Sequence, residues 1–192
     1  EASVSVGYGT NGPEFNASFN QHNFMGTGRT AGFNFNTSYW GRSYGLNYYD
    51  PYYTISGIGR GFDIYYQTVD PKKLEISAYT SDKYGFNVHY NVLLGDHASI
   101  QLGFGIDRLN LSSLGSNPAT QLQDFADTYG TRFDELKLTG GWTNNTYDRQ
   151  PFPFKGVNQQ ASVLLALPLS SNSLSYYKAM YKVHGYFPLA RT

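Results

Sequence analysis

Cysteine is absent from the 192 residues, which removes disulfide frameworks, thiolate metal sites and thiol nucleophiles at once. Charge is scarce as well: Asp, Glu, Lys and Arg make up 15% of the chain and cancel, 14 basic against 14 acidic. The basic residues are scattered, so no electrostatic footprint for nucleic acid exists and that class of partner is excluded. No apolar run reaches the roughly 18 to 20 residues of a membrane helix. The longest, Val163 to Leu169, is interrupted by Pro168. The opening Glu-Ala-Ser-Val-Ser-Val has neither a basic segment nor an apolar one of the kind that makes an export leader.

What is abundant is aromatic residues and glycine, with 18 Tyr, 13 Phe and 21 Gly, a bias toward strands and turns within a single domain. The dominant pattern is alternation of period two, which a sheet with two chemically different faces requires. Val4, Val6 and Tyr8 alternate with Ser3, Ser5 and Gly7, and Phe15, Ala17 and Phe19 with Glu14, Asn16, Ser18 and Asn20, across a turn at Asn11-Gly12-Pro13. The pattern recurs over residues 31–39, 43–48, 61–66, 84–92, 98–107 and 136–142, with further runs at 159–167 and 176–187. About ten strands in series are predicted, the fourth ended by Asp50-Pro51 because proline cannot donate to a ladder.

The joins at Asn23 to Arg29, Asp50 to Gly57, Leu94 to His97 and Arg149 to Gly156 are short, while the alternate joins include Asp70 to Lys83 and Asn110 to Asp134. Short turns on one rim and long loops on the other are the habit of an outer-membrane barrel. In the longest loop Asn117 suits a helix cap, Pro118 the first helical position and Gly130 the stop, around Leu122, Phe125 and Ala126. One short helix is expected there and nothing helical elsewhere. The polar faces carry mainly Gly, Ser, Asn, Gln and Thr rather than the charges of a soluble sheet. A wet lumen on one side and lipid on the other fit this better, with Tyr39, Trp40, Tyr48, Tyr52 and Tyr53 near strand ends as an interfacial girdle.

Chemistry-bearing residues are dispersed. His22, His89, His97 and His184 show no metal-ligand spacing, and Asp63, Asp107, Glu135 and Asp148 read as lumenal hydrogen-bonding groups rather than an acid and base pair. Gly57-Ile58-Gly59-Arg60-Gly61 precedes no helix, so it relieves crowding in a curved sheet and is not a dinucleotide fingerprint. Tyr48-Tyr49-Asp50-Pro51-Tyr52-Tyr53 reads as girdle, or as a stacking platform for sugars.

Several segments carry a resemblance: Gln21 to Gly28, Tyr48-Tyr49-Asp50-Pro51-Tyr52-Tyr53-Thr54, Gly141-Trp142-Thr143-Asn144-Asn145-Thr146-Tyr147-Asp148-Arg149 and Pro151-Phe152-Pro153-Phe154-Lys155-Gly156. In this order and spacing they resemble the barrel of the BamA family of outer-membrane protein assembly factors, the bacterial surface antigen family. Val4 to Thr10 and Tyr176-Tyr177-Lys178 look like its first and tenth strands. The resemblance implies an all-β fold: an antiparallel transmembrane β-barrel, of which residues 1–192 are about the first ten of sixteen strands, without the periplasmic domains and the C-terminal strands. It implies a non-enzymatic insertase of the Gram-negative outer membrane. Val4, Ser5, Val6, Gly7, Tyr8 and Gly9 then form the templating edge of a lateral gate, to which a client strand adds by β-augmentation. No catalytic residue, cofactor or metal is implied. The implied partners are outer-membrane lipids, client outer-membrane proteins and, in the full-length protein, assembly-complex lipoproteins. Gly59-Arg60-Gly61-Phe62 imitates the family's Arg-Gly-Phe loop motif but falls in the expected fifth strand. An open sheet must close on itself, self-associate with a second copy, or belong to a larger protein. The alternatives are a small autonomous porin or adhesin barrel and a soluble carbohydrate-binding β-domain.

Overall fold

Runs that alternate Phe, Ile or Leu with Gly, Asn or Ser can present each class to its own surroundings only as extended strands. The computed structural model describes residues 1–9, 12–70, 79–112, 120–149, 151–169, 173 and 175–188. It contains β1 (Ala2–Gly9), β2 (Gly12–Gln21), β3 (Thr30–Ser38), β4 (Gly41–Asp50), β5 (Gly59–Val69), β6 (Thr80–Leu94) and β7 (Ala98–Ser112). After these come α1 (Thr120–Tyr129), β8 (Arg132–Asn145), β9 (Gly156–Pro168) and β10 (Tyr176–Tyr186). The strands form one antiparallel sheet in the order β1 to β10, each paired with its sequence neighbours, and the sheet is open. Among the described residues no helix is long and apolar enough to cross a membrane, which says nothing of crossing by strands.

The register turns alternation into rows. Phe19, Phe33, Leu46, Ile64, Phe86, Ile106, Leu136 and Leu167 stand opposite one another in turn from β2 to β9. This unbroken apolar row is largely exposed, as a lipid-facing surface is. Toward the rim that carries α1, the next row on this face runs through Tyr44, Tyr66 and Tyr84 to Arg108 and Asp134, and the one beyond through Arg42, Thr68, Asp82, Asn110 and Arg132. Apolar, then aromatic, then charged is the profile of a surface leaving hydrocarbon through an interface.

The opposite face is polar, and glycine lets its side chains meet across an intervening strand. Tyr65 on β5 and Asp107 on β7 both stand opposite Gly85 of β6. With no side chain there, Tyr65 Oη donates to Asp107 Oδ1 at 2.5 Å. Gly61 separates Tyr49 from His89 in the same way, and the two rings stack 11° from parallel. The reading of the Gly57 to Gly61 segment as relief of crowding holds at Gly61, where a Cβ would run into the His89 ring, and at Gly59, where it would meet Tyr49, but not at Gly57, which faces open space with φ 80°.

Two expectations need correction. A single turn of 3-10 helix, Phe24–Gly26, occupies the join between β2 and β3. Asn23 enters it in a left-handed conformation (φ 64°) and its Oδ1 accepts from Gly28 N at 2.7 Å, a local side-chain bond that competes with extended backbone. The contrast in loop length is also narrower than expected. It rests on the joins 70–79 and 113–131, whereas β3 and β4, on that same rim, are linked by residues 39–40 alone. The helix does form, and Gly130 ends it with φ 80° while its N–H bonds Ala126 O at 2.8 Å. Phe125 packs on Phe133, which is 2% exposed, so α1 lies against the polar face. Asn11, Asn117, Pro118 and the side chain of Leu122 lie outside the described residues.

Candidate functional site at the free strand edge

β1 pairs with β2 along its whole length, Ala2 opposite Phe19 through Gly9 opposite Gly12, and with no other strand among the described residues. Glu1 and Asn20 exchange both backbone bonds, N to O at 2.7 Å and O to N at 2.8 Å. An antiparallel ladder alternates hydrogen-bonded and non-bonded pairs. That phase sends the backbone groups of Ser3, Ser5, Gly7 and Gly9 toward β2, and those of Ala2, Val4, Val6 and Tyr8 to the open side. Pro13 agrees with it, because it stands opposite Tyr8 at a non-bonded pair, where its missing N–H costs β1 nothing.

The side chains divide Val4 to Gly9 by face. Val4, Val6 and Tyr8 project from the apolar face and are 69%, 76% and 85% exposed. Ser5, Gly7 and Gly9 lie on the polar face with Ser3, whose Oγ bonds Ser18 Oγ at 2.7 Å. An added Cβ at Gly7 would meet nothing within 4 Å, so packing does not demand glycine there. Val4 to Gly9 thus lie along one continuous edge. Among the described residues β10 is a second free edge, exposed along its length.

The histidines and carboxylates singled out in the sequence sit on the polar face or in turns. His89 Nδ1 lies 3.1 Å from Asp63 Oδ2. Asp107 is 2% exposed and is held by Tyr65, by Lys137 Nζ donating to Oδ2, and by Lys83 Nζ at 3.4 Å. Glu135 accepts from Tyr176 Oη at 3.4 Å. A carboxylate buried this deeply would cost several kcal/mol if left alone, which is why two lysines and a phenol converge on it. Sequence reasoning singled out Asp107 and Glu135 but not Tyr65, Lys83, Lys137 or Tyr176. The available signal was Gly85, whose bare backbone leaves room for Tyr65 to cross. The tyrosines of the Tyr48 to Tyr53 segment do not make one platform: Tyr48 meets Phe62 on the apolar face, Tyr49 stacks on His89 on the polar face, and Tyr53 lies under Arg60 in the turn.

An Omp85 superfamily domain matches residues 23–192. The chain belongs to the Omp85 superfamily. The Omp85 match begins after β1 and β2. The chain is 27% identical over 186 residues to the outer membrane protein assembly factor BamA of Neisseria meningitidis serogroup B, covering 92% of this chain and 23% of that protein. It also superposes on the crystal structure of BamA from Haemophilus ducreyi lacking POTRA domains 1-3 with a TM-score of 0.77 and 28% identity, over 98% of this chain and 38% of that one. The chain therefore spans about a quarter of the curated relative's length. The Omp85 membership and the barrel likeness place the sheet in the bacterial outer membrane, where the exposed apolar row is the face suited to lipid.

Proposed function

We propose that this chain forms the leading ten strands of an outer-membrane protein assembly factor, and that β1 templates incoming client strands at a lateral gate. The observation that carries the proposal is the phase of the β1 ladder, which aims the N–H and C=O groups of Ala2, Val4, Val6 and Tyr8 away from β2. In hydrocarbon each unsatisfied group costs about 2–7 kcal/mol, so an open edge there captures extended chain strongly. Strand length supports the same reading, since β1 has 8 residues where β6 and β7 have 15. A short edge disturbs the adjacent bilayer, where a client must enter. On this reading the work is backbone pairing and membrane deformation rather than covalent chemistry. The partners are outer-membrane lipids, unfolded barrel proteins and the lipoproteins of an assembly complex. The resemblance to a sixteen-strand barrel leaves β1 as the gate and gives β10 a following strand.

Two proline variants in the full-length protein test the assignment. Val6→Pro removes a donor aimed at the open side and leaves the β1–β2 ladder intact; Ser5→Pro removes one that bonds β2 and destabilises the hairpin. With both inserted in vesicles, Val6→Pro should fold with wild-type heat-modifiable mobility yet slow the appearance of folded client at least severalfold. A folded Val6→Pro variant with an unchanged assembly rate would falsify the templating role.

A further inference from the structure

Arg60, from the segment that imitates the family's loop motif, stands on the apolar face of β5 and has a guanidinium that no described residue accepts from. Its guanidinium carbon lies 3.6 Å from the Tyr53 ring centroid and 4.9 Å from that of Phe62, two cation–π contacts that hold the group in place. Opposite it on β4, Asp50 is engaged elsewhere: Arg29 Nε bonds its Oδ2 at 2.9 Å and Tyr52 N its Oδ1 at 3.1 Å. Arg29, Asp50 and Arg60 together leave one positive charge over, at the lipid-facing surface.

Depth along β5 says which anion meets that charge. From Arg60 to Thr68 the outward residues are Phe62, Ile64 and Tyr66, a span of about 27 Å along the strand and about 20 Å across the membrane at a tilt of about 40°. Arg60 is therefore at the level where hydrocarbon gives way to headgroups. The rim is that of the 51–58 and 95–97 turns, which in an outer-membrane barrel faces the periplasm. Four residues further along, Ile64 opens into a groove of about 910 Å³ on the same face, walled by Phe33, Leu46, Phe86 and Ile106. At the groove's far end Arg108 is already paired with Asp134 through Nε and Nη2, and its Nη1 donates to Tyr84 Oη at 3.2 Å, so it offers no free charge.

We infer that Arg60, held by Tyr53 and Phe62, binds the phosphate of an anionic phospholipid of the periplasmic leaflet, with an acyl chain lying along Ile64 into the groove. A guanidinium suits phosphate because two of its N–H groups reach two oxygens at once. The inference concerns the lipid-facing surface four strands away from the free edge and does not depend on client templating.

Native mass spectrometry of the complete barrel protein in mild detergent, titrated with phosphatidylglycerol, tests this. Wild type should retain one tightly held lipid, Arg60→Gln should bind it about tenfold more weakly, and Arg42→Gln, at the opposite rim, should match wild type. Equal retention by wild type and a heat-modifiable, folded Arg60→Gln variant overturns the assignment. So does displacement of the lipid by millimolar inorganic phosphate, which would indicate a free-anion site. Should Arg60→Gln not fold, wild type alone decides. Phosphatidylglycerol should be held at least about tenfold more tightly than diacylglycerol with the same chains, and equal affinity refutes a phosphate contact.

Discussion

Gly85 and Gly7 both lie on the polar face, yet a methyl group would meet different surroundings at each. At Gly85 it would collide with Asp107 Oδ1 and come within 2.9 Å of the Tyr65 ring, forcing apart the bond that crosses β6. At Gly7 it would enter open space. Gly85→Ala should lower the unfolding free energy by about 1–3 kcal/mol through overpacking at a buried carboxylate. Gly7→Ala should change it by no more than about 0.5 kcal/mol. Urea unfolding of the two variants in lipid vesicles measures both, and equal midpoints would contradict the crossing role of Gly85.

Among the connecting elements, the turn between β8 and β9 is the most densely bonded. Asp148 Oδ1 accepts from Phe154 N at 3.0 Å and Lys155 N at 3.2 Å, Asn145 Oδ1 from Tyr147 N at 3.1 Å, and Thr146 Oγ1 from Val157 N at 2.9 Å. The Lys155 amide, followed by that of Phe154, holds the Asp148 carboxyl below its ordinary range. A carboxyl with a depressed folded value stabilises above its unfolded value, near pH 4, and loses that contribution as pH falls through the folded one. Protection of the Phe154 and Lys155 amides, taken relative to their intrinsic exchange rates, should therefore fall only below about pH 4, and Asp148→Ala should show the lowered protection already at neutral pH. How legible such elements are in sequence depends on how local their causes are. The strands show as period-two runs, α1 stops at a glycine, and the six edge residues stand out as one alternation. The three-residue turn at Phe24–Gly26 is too short for any period to reveal. Tyr65 and Asp107 are 42 residues apart and Lys137 and Asp107 are 30 apart, so only the register, which one sequence does not carry, brings them together. The same holds for β1: its alternation is visible, but which residues aim their backbone outward follows from the phase set at Glu1 and Asn20.

At the scale of the whole molecule, an open sheet with two bare edges cannot rest in hydrocarbon unpaired. The isolated chain in mild detergent should sediment at multiples of its own mass, and Pro placed at Val6 should shift it toward smaller species. A stable monomer with heat-modifiable mobility would instead mean that β1 and β10 meet. Beyond this, the outward groups of Ala2, Val4, Val6 and Tyr8 come at every second residue, which amounts to a reading frame. An incoming strand that slips by two residues finds the same donors and acceptors, while a slip of one finds none and would also turn its lipid-facing side chains inward. On the proposed templating role, the edge would thus be indifferent to what a strand spells, yet preserve the frame in which inside and outside are written.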